Sequence, residues 1–376
     1  MLWLSMIIPT LAFIVLMLVP KWRKCVVWWE GVLLFLPPLI MVPLFSSMGE
    51  ASVTNDIEYW GAYVTKANHY EAWDEKVSCR HPKFCTRTVT KRDSKGKSYT
   101  TTETYQCGWM HAYDVDHHPE RWSANVSDGS SFSINKSTYL KWKNLWGNEK
   151  FVDMKRNYYS YDGDSYTSRF DDKDAHLQPR ITKHTYENRI QVSSSVFNFA
   201  EVDDPSGLYD YSDGYSAILG DCVNKKEANQ ILTVANCRLG SSRQLRLWML
   251  CFKGGSVETG MLQERYWKGG NKNELVVCIG INSDNAVDWV YPFTWSEVDI
   301  MKPNIRNGIL DLGEFDAVKA ASIIVNEAKA NWRRKEFKDF EYVKVDLPIW
   351  TYWVTFIVTI IVTLGVSLFV VSNEIY

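Results

Sequence analysis

Three cysteines and one histidine stand close together along the first third of the chain: Cys79, Cys85, Cys107 and His111. Thiolate sulfur and imidazole nitrogen are preferred donors for tetrahedral zinc. Between them lie Thr86 to Thr90 and Tyr99 to Tyr105, two β-prone stretches flanking the turn Ser94-Lys95-Gly96-Lys97. A hairpin there brings Cys85 opposite Cys107 and leaves Cys79 and His111 at its base, a candidate zinc site. The same proximity suits a disulfide from Cys107 to Cys85 or Cys79, as an oxidising compartment favours. The spacing has no Cys-x-x-Cys knuckle, and both chemistries stay open.

The next concentration is Asp114-Val115-Asp116-His117-His118-Pro119. Neighbours on an extended chain point to opposite faces. Both imidazoles therefore do not serve one ion, and the stretch reads as a structural turn leading toward Trp122. Asp162-Gly163-Asp164 reads as a hairpin turn between Tyr158 to Tyr161 and Tyr166 to Phe170, because a calcium loop needs further ligands and a terminal Glu. Asp203, Asp204, Asp210 and Asp213 form an acidic loop that reads as a solvated connection. Cys251 and Cys278 fall in apolar strands and read as buried thiols. Cys222 and Cys237 flank a helix of about 18 Å, too far apart for one disulfide. Of the 8 cysteines, Cys25 lies in an apolar end segment, and the odd number remaining excludes a fully oxidised framework.

The elements that must hold these residues are bracketed by apolar ends. Leu2 to Pro20, Cys25 to Phe45 and Ile349 to Val371 each approach the roughly 20 apolar residues that cross a bilayer. A cleaved signal peptide fits the first stretch poorly, because its basic residues follow the apolar run. Pro37, Pro38 and Pro43 predict a break or kink in the second. Glu30 reads as an interfacial carboxylate near Lys21, Arg23 and Lys24. The third begins with an aromatic belt, Trp350, Tyr352 and Trp353. It repeats a hydroxyl residue every four positions at Thr351, Thr355, Thr359, Thr363 and Ser367. That spacing marks one helix face, a packing seam for the N-terminal hairpin or for another copy of the chain.

Basic residues in the short loop Lys21 to Lys24 predict a cytoplasmic loop and a non-cytoplasmic soluble domain. Arg333, Arg334, Lys335, Lys338 and Lys344 argue the other way, with less weight because they belong to a long domain. The formal charge of −2 argues against a nucleic-acid partner.

The expected fold is α+β and membrane-anchored. It comprises two hydrophobic segments in 1–46, a β-rich subdomain in 47–200, a small α/β sandwich in 201–346, and a C-terminal transmembrane helix with tail in 347–376. In the first half, Thr138 to Trp146 is a short helix closed by Gly147. In the second, Asn224 with Glu227 makes an N-terminal capping pair, and Gly240 closes that helix. Leu245 to Phe252 and Leu275 to Ile281 read as buried strands around a helix from Val257 to Trp267. Val287 to Trp295 pairs beside them, and Phe315 to Phe337 reads as one long helix with an apolar stripe.

Strand, helix, Lys268-Gly269-Gly270, strand, strand, helix, with Trp267 to Val277 at its centre, resembles the TPM domain over about Pro205 to Phe340. The resemblance implies a small α/β sandwich beside a membrane helix, in a family with both phosphatases and assembly or repair factors. The usual Asp, Asn and Gly run before the second strand is only partly present here, so no catalytic residue carries over.

No phosphate loop, nucleophile elbow or His-Glu-x-x-His helix occurs. The sequence therefore points to a membrane-anchored interaction or assembly module. Its partners are the bilayer and either a second copy or another membrane protein. The alternative is a membrane-tethered, metal-dependent hydrolase of phosphatase type using the acidic loop.

Overall fold

The computed structural model describes residues 2–18, 33–92, 94, 96–147, 149–152, 165–189, 202–340 and 342–373. The Lys21 to Lys24 loop, Glu30 and the Asp162-Gly163-Asp164 turn lie outside the described residues. The protein is mixed α+β and divides into two compact units, Ala62–Arg180 and Met1–Gly61 with Ile181–Tyr376.

In the second of these units, α1 (Ile7–Leu18) and α2 (Leu36–Thr54) come first. Pro37 and Pro38 sit in the first turn of α2, where their missing N–H groups have no helical partner to lose. Pro43 lies inside, yet the helix runs on to Thr54. The chain turns at residues 34–35, so the expected break falls just before Pro37 and Pro38; Pro43 does not interrupt α2, and the helix extends beyond Phe45. Its exit is tied down: Asn188 N–H donates to Thr54 O at 2.7 Å, and Arg189 pairs with Glu50 at 2.7 Å.

The unit Ala62–Arg180 is built on a six-stranded sheet and two short ladders. Its strands are β1 (Asn55–Tyr70), which enters from the other unit, β2 (Trp73–Ser78), β3 (Pro82–Arg92), β4 (Ser98–Trp109), β5 (Tyr113–His118), β6 (Arg121–Val126) and β7 (Ser131–Ile134). After α3 (Lys136–Trp146) come β8 (Glu149–Val152), β9 (Ser165–Arg169) and β10 (Pro179–Glu187). The large sheet is ordered β7-β6-β1-β9-β8 with β10 also on β1, while β2–β5 and β3–β4 form separate two-stranded ladders. Asn135 caps α3 by accepting from Thr138 N–H, and Gly147 ends it at φ 69°. Tyr139, Trp142 and Trp146 of that helix close the core over Val64, Ala67 and Ala124.

The remaining elements are β11 (Ile218–Leu219), α4 (Lys225–Arg243), β12 (Arg246–Lys253), α5 (Val257–Tyr266), β13 (Glu274–Ile281), β14 (Val287–Thr294), α6 (Met301–Leu310), α7 (Ala317–Asn331) and α8 (Ile349–Asn373). They set a sheet ordered β11-β12-β13-β14, parallel except for β14, between two apolar layers. Leu247, Met249 and Cys251 face α4, α6 and α7; Trp248, Leu250 and Phe252 face the side with Trp267 and Trp289. Burial on both faces explains why β12 reads as an unbroken apolar run.

Three sequence expectations need correction. Asn224 is left-handed at φ 60° and makes no side-chain cap. Gly240 does not end α4; a Cβ there would overlap the Gly61 backbone, so the glycine serves close approach rather than termination. The helix expected from Phe315 to Phe337 spans only Ala317–Asn331. Asp316 caps its start, and beyond Trp332 the chain turns to bridge Arg334 to Ser296.

A buried ion pair marks the start of β1. Glu58, 2% exposed, accepts two hydrogen bonds from Arg334 at 2.7 and 2.8 Å and a third from Trp60 Nε1 at 2.9 Å.

Candidate metal centre

The β2–β5 and β3–β4 ladders are consecutive stretches of one long hairpin. Trp73 pairs with His118 and Ser78 with Tyr113; the next ladder starts at Pro82 with Trp109. Between them lies a waist of two short connections, residues 79–81 and 110–112, held by Met110 N–H donating to His81 O at 2.9 Å. One connection carries Cys79 and His81. The other carries His111, with Asp114 just inside β5.

Ligand atoms of Cys79, His81, His111 and Asp114 all lie within 4.8 Å of one another, a group that could hold a metal ion. Asp114 Oδ1 is 3.2 Å from His81 Nδ1 and 3.1 Å from His111 Nδ1. Donors at zinc bond lengths sit about 3.3 Å apart along a tetrahedral edge. Cys79 is buried, and its Sγ accepts from His81 N–H at 3.4 Å. The Arg80 backbone N–H, donating to Oδ2 at 2.6 Å, holds the Asp114 carboxyl below its ordinary range against the opposing effect of burial, and the imidazoles of His81 and His111 add to it. An ionised carboxylate is what a cation requires. The Arg80 side chain meanwhile pairs with both oxygens of Asp116 at 3.1 and 2.6 Å.

The four residues singled out from sequence thus divide. Cys85 and Cys107 are joined as a disulfide with alpha-carbons 5.6 Å apart, which removes both thiolates from any metal set. Cys79 and His111 meet His81 and Asp114 instead. His81 did not stand out in sequence, and Asp114 did so only within the Asp114 to Pro119 stretch read as a structural turn, although extending the hairpin register back from the turn places residue 81 beside 110 and 111. His117 and His118 turn to different acids, Asp74 at 2.6 Å and Glu75 at 2.8 Å.

In the other unit, Asp204 accepts from Ser206 N–H and Asp210 from Tyr266 OH. Among the described residues the acids at 203, 204, 210 and 213 join no metal-binding group. Cys222, Cys251 and Cys278 are free thiols. A cavity of about 600 Å³ opens at the carboxyl ends of β11, β12 and β13, lined by Asp221, Cys222, Lys253 and Asn282 among others.

The hydroxyl repeat of α8 lies on its covered side. Thr351, Thr355, Thr359 and Thr363 are at most 1% exposed and Ser367 is half-buried, while Ile357, Ile361, Leu364 and Leu368 are 52 to 70% exposed. The helix packs against α2 and α1. Thr355 and Ser367 donate to carbonyls four residues back. Thr351, Thr359 and Thr363 hydroxyls have no hydrogen-bond partner among the described residues. Among the described residues two helices, Leu36–Thr54 and Ile349–Phe369, are long and apolar enough to cross a membrane.

Comparison with family models, curated proteins and solved structures returned no match to this chain.

Proposed function

We propose that this chain is a membrane-anchored interaction module that holds an α/β unit and a zinc-bearing β unit at a bilayer surface. The observation that carries it is the inverted burial of α8. A helix in water buries isoleucine and leucine and exposes threonine; α8 does the reverse, as lipid contact demands. The same large apolar side chains are exposed on α1 and α2, at Leu11, Leu18, Leu39, Ile40 and Leu44.

Zinc is the ion assigned to the four-donor group. One thiolate, two imidazoles and one carboxylate are a borderline-soft tetrahedral set, and hard cations such as calcium prefer oxygen alone. In this reading the soluble part lies on the non-cytoplasmic side, which the Cys85–Cys107 disulfide supports. The three-layered sheet of β11 to β14 supports keeping the TPM-like reading of this unit. A membrane-tethered hydrolase is the second reading, favoured only by the cavity at the carboxyl ends of the parallel strands.

Alkaline carbonate extraction of membranes from cells expressing the chain tests the anchoring. The protein stays in the pellet and leaves only with detergent. Release into the supernatant contradicts the proposal.

A further inference from the structure

The β2–β5 and β3–β4 ladders each have two strands, and among the described residues no third strand joins either. Every side chain of β3 and β4 is exposed or half-buried, so neither face of that ribbon builds a core. A lone two-stranded ladder is marginal in water. The core of the unit, Val64, Ala67, Ala124, Tyr139, Trp142 and Trp146, includes no residue from 73–118. The long hairpin therefore draws little hydrophobic stabilisation from the unit that carries it, and its order must come from cross-links. The disulfide fastens the ribbon just beyond the waist. At the waist itself the backbone ladder is interrupted, and the four donors converge there.

We propose that zinc bound by Cys79, His81, His111 and Asp114 is a folding clamp for residues 73–118. The clamp rests on the zinc reading above and adds what the ion does. Each arm of the hairpin supplies two donors, so one ion cross-links the arms where the backbone ladder thins to the Met110 N–H to His81 O bond. Four protein donors fill a tetrahedral shell and leave no position for a substrate, which makes the site structural. Ion-binding free energy then acts as folding free energy for the segment. The independent core lets the rest of the unit stay folded when the ion leaves.

The test uses the full chain in mild detergent with its disulfide intact. Zinc is counted by plasma mass spectrometry, and amide exchange is followed before chelation, after it, and after zinc is restored. The expected results are one zinc per chain and exchange in 73–81 and 109–118 at least about tenfold faster without it. Protection of 121–146 is unchanged, and zinc restores the segment. His111→Ala loses the ion and exchanges as the chelated protein does. A chain purified from zinc-supplied cells without zinc overturns the zinc reading itself. Stoichiometric zinc whose removal leaves 73–118 protected overturns the clamp alone. Loss of protection throughout 62–180 overturns its local character.

Discussion

Gly49 of α2 lies directly against the side chain of Thr351 in α8: a Cβ on the glycine would overlap Thr351 Oγ1 and come within 2.9 Å of its Cγ2. The contact fixes how closely the two apolar helices approach. Gly49→Leu should therefore cost about 1–3 kcal/mol by overpacking. Thermal unfolding in detergent reads the loss, and pairing it with Thr351→Ala should recover part of it. Equal stability of Gly49→Leu and the parent would mean the helices do not meet there.

The Glu58–Arg334 pair is buried and hydrogen-bonded on both sides. Removing one partner strands the other charge, and Arg334→Met should destabilise by about 3–5 kcal/mol. The double replacement Glu58→Gln with Arg334→Met should cost less than the single one. Denaturant titration of the three proteins distinguishes these outcomes.

Burial, followed by the nearby charge of Arg334, brings the Lys272 pKa from its ordinary 10.5 down to about 8. Between those values the unfolded chain binds more protons than the folded one, so stability contributed by this group rises with pH across that window. The rise should be on the order of 1–2 kcal/mol after allowance for partial solvent access. Lys272→Met should flatten it in a difference plot of melting temperature against pH.

Peptide mapping without reductant should recover Cys85 linked to Cys107, with Cys79 in neither partner peptide. Replacing both bridged cysteines with serine should destabilise the ribbon by about 3 kcal/mol in the chain-entropy account. Trypsin cleavage at Arg87, Lys91 and Arg92 should then quicken. A Cys79–Cys107 linkage would contradict the arrangement at the waist.

Much of the architecture was legible in the sequence because it rests on local signals. The turn around Gly96, the helix stop at Gly147 and the doubly buried runs of β12 and β13 each follow from residue type and period. Long-range packing was not legible. Gly240 looks like a helix end until Gly61 lies against it, and the chain leaves α7 at Trp332 because Arg334 pairs with Ser296. The metal group was half visible for the same reason. Cys79 and His111 announce themselves by type, whereas His81 and Asp114 join only once the register across the waist is known.

The central claim is that α2 and α8 cross the bilayer and leave residues 55–346 together on one side. Trypsin added to sealed vesicles of a single orientation, followed by peptide mass spectrometry, tests it directly. The account predicts that peptides from 66–92, 121–189 and 225–334 are all cleaved in one orientation and all protected in the other. Cleavage of some and protection of others in the same orientation would contradict it.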